Sequence, residues 1–571
     1  MAIHEHLLGH SSTPNKSKTC STLAIFLSLV AITISFTTLF LTNYNYNNNN
    51  NTTLSNTSQH EYSSLSHLCE PSQNPKSCLT LLSQELDPLA TPRLDNLRLL
   101  GLFLNNSISP TFHAMKLAER IQTSTNYNNN ARERSVLNTC IELLGSSMDK
   151  ILNSEYTLRV TPPTQYLSKA MSDAHTWLSA VVTNYVTCMD GLEGGPSHSV
   201  MKPELERVKA RASAALSMIV ASSLSFDIDD FPLRPLKGEL PSWITPSDRR
   251  LLALGAKAIN ADVTVAQDGS GKYKKIQDAI NAAPQNSQRR YVVYVKKGTY
   301  KETVRVQNKK NIMIVGDGMT STLITGHLTN ADVGTYDSAT LASNSDNFIA
   351  QDLWIQNTAG PKGEQAVALR VNGDFSVVNR CKLDAYQDTL YQHSQRQFYS
   401  ECTVTGTVDF IFGTAPVVMQ KCTIIPRKPL DGQENTITAQ GKDDKNQKSA
   451  TSIQQCTIQP SDDLKPVMSK YPSFLGRPWK TYATTVYMQS NIGKVIDPAG
   501  WLKWEGQDNL KTLYYGEYAN YGDGAGTSKR VNWPGYHVIT DPKVVKQFTV
   551  TQLIDGEQWL PATGVNYIPG L

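Results

Sequence analysis

Two aspartates form a pair able to do nucleophilic or acid–base chemistry. Asp388 lies in Tyr386-Gln387-Asp388-Thr389-Leu390-Tyr391 and Asp409 in Gly406-Thr407-Val408-Asp409-Phe410-Ile411-Phe412-Gly413, 21 residues apart, and the upstream Cys381 and Cys402 keep the same offset. If each repeat is one coil of a stacked solenoid, equivalent positions lie one strand spacing apart, about 4.8 Å. An aspartate in such a coil ordinarily serves a turn by accepting from backbone amides. Here both sit among Tyr, Phe, Ile and Leu, where close carboxylates titrate apart and one keeps its proton. Such a pair suits a retaining glycosidase and an ester hydrolase equally.

The elements that must position the pair repeat. Val377-Val378-Asn379-Arg380-Cys381-Lys382-Leu383 aligns with Phe398-Tyr399-Ser400-Glu401-Cys402-Thr403-Val404, with Val418-Met419-Gln420-Lys421-Cys422-Thr423-Ile424 and with Ser452-Ile453-Gln454-Gln455-Cys456-Thr457-Ile458; residues 349–355 are a weaker copy with Leu353 at the cysteine position. Steps of 28, 21, 20 and 34 residues separate the copies. Loops therefore vary while the strand motif stays fixed, as in a parallel β-helix. A β-sandwich is the alternative, and it needs no shared register. Cys381 and Cys402 would be disulfide-bonded or part of a ladder of small buried side chains; the bond is the expectation.

Upstream the period changes. Apolar residues recur at helical spacing through 97–104, 135–151, 167–186 and 203–222, which predicts a four-helix bundle over 63–225. Residues 226–261 form a linker with four prolines and the dibasic Arg249-Arg250, a candidate processing site, and 262–571 read as the β domain. The uncharged apolar stretch 22–41 is a signal peptide or, by preference, a signal-anchor, with 1–21 cytoplasmic and an Asn-rich linker at 42–62. The rest of the chain then enters the secretory pathway. Sequons at Asn50, Asn51, Asn56 and Asn105 fit that compartment.

The chain has 571 residues and a net charge of +4, without Lys/Arg blocks that would make nucleic-acid binding its main function. Nine cysteines without paired Cys-x-x-Cys knuckles argue against structural zinc. No Gly-x-Ser-x-Gly elbow occurs, which disfavours a serine hydrolase.

The two aspartate segments, together with Gln365-Ala366-Val367-Ala368-Leu369-Arg370 and Leu475-Gly476-Arg477-Pro478-Trp479, resemble the signature segments of plant pectin methylesterases. That resemblance implies a right-handed parallel β-helix hydrolysing methyl esters of homogalacturonan in the cell wall, with no metal or cofactor. It implies Asp409 as nucleophile, Asp388 as proton donor and then base, Gln365 and Gln387 as oxyanion donors, and Arg477 as the cation that keeps Asp409 ionised. Thr335 and Trp479 match sugar-contacting positions, and Tyr391, Phe412 and Trp501 are further cleft-wall candidates. The helical half, with Trp177-Leu178-Ser179-Ala180 and Cys188-Met189-Asp190, is similar to the pectin methylesterase inhibitor domain carried as a pro-region. By that similarity Cys69 pairs with Cys78 and Cys140 with Cys188, the helical domain is autoinhibitory, Arg249-Arg250 matches the processing motif, and a processing protease and separate inhibitor proteins are partners. Tyr185-Val186-Thr187 stands where that family often has Gln-Asp-Thr. Two other readings follow from the residues: a pectin-acting glycosidase, and a chain acting chiefly as an inhibitor or binding module.

Overall fold

The computed structural model describes residues 65–86, 95–124, 130–162, 166–225, 260–506 and 508–571. The apolar stretch 22–41, the sequons at Asn50, Asn51 and Asn56, and Arg249-Arg250 lie outside the described residues, while Asn105 is exposed on a helix. Among the described residues no helix is long and apolar enough to cross a membrane.

Helix α1 (Pro75–Glu85), too short for the periodicity to reveal, precedes α2 (Asn96–Thr123), α3 (Ala131–Val160), α4 (Tyr166–Leu192) and α5 (His198–Ser225). Asp95 and Asn130 start α2 and α3 by accepting from the amides of Arg98 and Glu133 at 2.9 and 3.1 Å, which satisfies donors that no helical carbonyl reaches. The four long helices bury Leu100, Phe103, Leu137, Leu144, Leu178 and Leu216 in one core. Disulfides join Cys69 to Cys78 and Cys140 to Cys188, with Cα atoms 5.7 and 4.9 Å apart. The second staples α3 to α4.

From Val263 onward the chain winds into a right-handed parallel β-helix whose three sheets hold 11, 7 and 8 strands among the described residues. Its seven-stranded sheet runs in chain order: β1 (Val304–Val306), β2 (Leu341–Ser343), β3 (Leu369–Val371), β4 (Leu390–Gln392), β5 (Ile411–Gly413), β6 (Asn435–Gln440) and β7 (Ser473–Pro478). Parallel strands are linked by whole coils, so residues one coil apart become lateral neighbours.

The repeated cysteine segment is a corner between two short strands. Asp352, Arg380, Glu401, Lys421, Gln455 and Gln489 all have left-handed φ between 48° and 55°, and each immediately precedes a member of one inward column: Leu353, Cys381, Cys402, Cys422, Cys456 and Ser490. The column is stacked by bonds such as Thr403 N to Cys381 O at 2.9 Å and Thr423 N to Cys402 O at 2.8 Å.

The expected Cys381–Cys402 bond does not form: both are buried free thiols, as are Cys422 and Cys456. In a parallel register the Cβ vectors point the same way rather than towards each other, against disulfide geometry. Each sulfur instead donates to the carbonyl two residues before it, Asn379, Ser400, Gln420 and Gln454 respectively, at 3.3–3.4 Å. Trp501 is likewise a core residue rather than cleft wall, 1 % exposed and stacked on Tyr515 at 4.1 Å.

Candidate active site

Leu390 pairs with Ile411 across β4 and β5, which puts Asp388 and Asp409, each two residues earlier, at equivalent points of adjacent coils. Both have left-handed backbones, φ 63° and 51°. That conformation costs a non-glycine residue on the order of 1 kcal/mol, least for Asn and Asp, and it ends the preceding loop so that both carboxyls face one cavity. Gly413 closes β5 at φ 131°, where a Cβ would lie 2.0 Å from the Gln392 carbonyl oxygen.

The two carboxyls have different surroundings. Asp409 accepts from Arg477 through both oxygens, Nε to Oδ1 at 2.8 Å and Nη2 to Oδ2 at 2.6 Å. Thr436 Oγ1 also donates to Oδ1 at 2.6 Å while accepting from the Asp409 amide at 2.9 Å. A bidentate charge-assisted pair of this kind holds a carboxylate ionised and oriented. The Arg477 guanidinium lies 4.3 Å over the Trp504 ring; burial opposes its charge, but the bond and charge of Asp409 outweigh that and raise its pKa. For Asp388, burial and then the neighbouring Asp409 charge push the carboxyl well above its usual range, with Arg477 pulling it back only in part. One carboxyl clamped by a guanidinium and one pushed towards its acid form thus stand side by side.

Around them lies a cavity of about 250 Å³ lined by Thr335, Gln365, Gln387, Tyr391, Phe412 and Trp479, among others. Gln365 and Gln387 pair across neighbouring coils, and Asn330 donates to Gln365 Oε1 at 3.4 Å, an arrangement that orients one amide. Tyr391 stacks on Phe412 at 4.2 Å, and Trp479 meets Phe412 edge-on at 5.9 Å. The structure therefore brings Asp388, Asp409, Gln365, Gln387, Arg477, Thr335 and Trp479 to one place. Two carboxyls in unlike surroundings and two primary amides around an aromatic-walled cavity can add a nucleophile to a carbonyl, protonate a leaving oxygen and bind an oxyanion.

The helical bundle supplies part of the wall of this cavity. Thr139, Thr187 and Asp190 are among its lining residues, and Leu143 of α3 packs with Tyr336, Val367, Tyr391 and Phe412. Thr187 Oγ1 bonds His393 Nε2 at 2.9 Å, Lys480 donates to Asp190 at 2.9 Å, and Ser135 and Thr139 donate to Asp337 at 3.0 and 2.8 Å. Farther along, Arg396 is buried between Asp173 of α4 at 2.7 Å, Asp374 at 2.7 Å and Asp555 at 3.1 Å. Such buried ions are paired on every side and fix one docking geometry, since losing any partner strands a charge.

Thr436, Trp504, Tyr336 and His393 were missed from sequence. Thr436 stands one coil from Asp409 in the neighbouring β6, in the plain alternation of Asn435-Thr436-Ile437-Thr438, and only the register marks it. Trp504 falls in an irregular loop that carries no repeat.

The pectinesterase family model matches residues 262–557, and the plant invertase/pectin methylesterase inhibitor model matches 63–218. Pectinesterase 2.1 of Solanum lycopersicum is 48 % identical over 509 residues, 89 % of this chain and 90 % of that protein. Pectinesterase/pectinesterase inhibitor 18 of Arabidopsis thaliana is 47 % identical over 520 residues, 90 % and 92 % of the two chains. Among solved structures, the pectin methylesterase from carrot is 50 % identical, with a TM-score of 0.54, covering 55 % of this chain and 99 % of that one. With a β-helix that matches the pectinesterase model and an inhibitor-type bundle ahead of it, the chain belongs to the pectinesterase family.

Proposed function

We propose that Asp409 and Asp388 hydrolyse the C6 methyl esters of homogalacturonan through an acyl-enzyme. Asp409 attacks the ester carbonyl, with Oδ2, held by Arg477 alone, as the freer oxygen. Amide donors of Gln365 and Gln387 take the developing oxyanion, where one donor contributes about 3 kcal/mol. Collapse breaks the bond to the methoxy oxygen, and Asp388 gives it the proton, releasing methanol. Asp388, now a carboxylate, takes a proton from water as that water attacks the acyl carbon. The bond from that carbon to Asp409 then breaks, which restores both aspartates, and the products are methanol and a galacturonic acid carboxyl that gives its proton to solvent. Thr335 and Trp479 contact the sugars.

The observation that carries this reading is the asymmetry of the pair, Asp409 clamped by Arg477 beside an Asp388 whose carboxyl is pushed upward by burial and by the Asp409 charge. A glycosidase needs no amide pair at the carbonyl. The bundle, seated on the cavity in the same chain, keeps the enzyme latent until a protease cuts the linker 226–261 near Arg249-Arg250; it reads as an inhibitory lid rather than the chain's chief activity. The site of action is the cell wall, entered through the secretory pathway, with separate inhibitor proteins as further partners; residues 22–41 act as signal-anchor or signal peptide. The test is to place a site-specific protease sequence in 226–261, fold the intact chain, and follow methanol and reducing ends from esterified pectin before and after cutting. Methanol without new reducing ends, rising at least tenfold on cutting, is expected. Reducing ends without methanol would establish a glycosidase, and equal rates before and after cutting would remove the inhibitory role.

A further inference from the structure

The seven-stranded sheet carries one row of side chains in strict register: Arg305, Ala342, Arg370, Tyr391, Phe412, Ala439 and Arg477 on β1 to β7. Phe412 shares its coil with Asp409. Arg370 therefore lies two strand spacings away, about 10 Å, and Arg305 about 19 Å.

Arg370 is fully buried, its guanidinium 3.4 Å over the Tyr336 ring, with Nη1 donating to Asn344 Oδ1 at 2.8 Å. Its Nε and Nη2 have no hydrogen-bond partner. Two unmet donors on a buried cation are costly unless a negative charge stands nearby. The carboxyl that stands there is Glu142 of α3, which accepts from Gln307 Nε2 at 3.0 Å and from Asn344 Nδ2; burial raises its pKa, and Arg370 and Arg305 act against that rise. Arg305 spends its own donors on the carbonyls of Val304, Ala339 and Asp337 and contributes charge alone. The only carboxylate reaching Gln307 and Asn344 among the described bonds thus belongs to the bundle, not to the β-helix.

We propose that Arg370, Gln307 and Asn344, backed by Arg305, form a subsite for the free C6 carboxylate of an already de-esterified galacturonate, which Glu142 fills as long as the bundle is docked. The notch meets the catalytic cavity at Tyr336, which lines that cavity and stacks on Arg370. On its other side a space of about 940 Å³, walled by α3 as long as the bundle is docked, continues past Gln307 and Asn344 to Lys309 and Lys310, so that departure of α3 opens this side of the β-helix. A polymer lying along the row with an ester at Asp409 thus presents later carboxyls to Arg370, whose planar fork and unmet donors suit a carboxylate and not its neutral methyl ester. The subsite rests on the esterase reading for its polymer.

The experiment uses the full chain with the protease sequence in 226–261, folded intact, cut, and freed of its bundle. Binding of fully de-esterified hexagalacturonate is measured for the parent, Arg370→Gln and Gln307→Ala, alongside methanol release from partly and fully esterified oligomers. Arg370→Gln should weaken hexagalacturonate binding about tenfold, or ~1.4 kcal/mol, and Gln307→Ala about threefold. Both should lower the preference for partly over fully esterified oligomers, and the uncut parent should bind at least tenfold more weakly than the cut one. Unchanged binding and unchanged preference in variants that melt like the parent would overturn the subsite. If Arg370→Gln does not fold, the half-buried Gln307 decides by the same two readouts. Absence of methanol from the parent would instead defeat the esterase reading, while hexagalacturonate binding would still judge the notch.

Discussion

Asp409 keeps its orientation through three donors, two from Arg477 and one from Thr436. Thr436 is fully buried and is not among the residues that line the cavity, so its proposed effect runs through Asp409. Thr436→Val should lower kcat roughly tenfold, about the 1.4 kcal/mol of one bond to a charged group, with KM little changed; Thr436→Ser, which keeps the hydroxyl, should restore most of it. Asp388 makes a second case. Its folded pKa is raised above the unfolded value of about 3.9, so the folded state binds the extra proton. Stability from this group is full below that pH and is lost as pH rises through the folded pKa. Asp388→Asn removes the titration. Its melting temperature should therefore exceed the parent's by a margin that widens from pH 4 to pH 8, and parallel curves would contradict the buried acid. The aspartates themselves were legible from their shared offset and apolar neighbours, and Arg477 from its motif. Thr436 was not, because a threonine in an alternating strand carries no mark until its coil neighbour is known.

At the scale of elements, the repeat announced stacked coils but not what it repeated. Residues 377–383 look like one strand, yet Arg380 turns left-handed and splits them between two sheets. Side-chain alternation runs through such a corner without a break in composition, so hydrophobic pattern alone does not reveal it. The same corner explains the missing disulfide, since its column points four thiols inward in parallel. In the bundle the arrangement is reversed: Cys140 and Cys188 face each other across antiparallel α3 and α4, with Cα atoms 4.9 Å apart. A Cys140→Ala, Cys188→Ala chain should lose about 3 kcal/mol from the bundle, seen as an earlier first transition in calorimetry. The β-helix transition should stay in place, and dithiothreitol should not move it. A β-helix transition that falls with reductant would mean that its thiols are bonded after all.

Over the whole molecule, the decisive contacts join residues that no local pattern connects. Thr187 meets His393 across 206 positions, and Arg396 gathers Asp173, Asp374 and Asp555 from both parts of the chain. Composition and motif could name a helical and a β part, but where α3 and α4 would settle depended on charges and pockets formed only after the coils had stacked. The outcome is one cavity walled by both parts of the chain, and the proposed chemistry turns on the carboxyl of Asp409 that Arg477 clamps. The most direct measurement is methanol release from esterified pectin by the chain cut within 226–261, compared with its Asp409→Asn variant prepared in the same way. A loss of at least roughly 10³-fold with an unchanged β-helix melting temperature is predicted. Activity within tenfold of the parent would show that Asp409 is not the nucleophile.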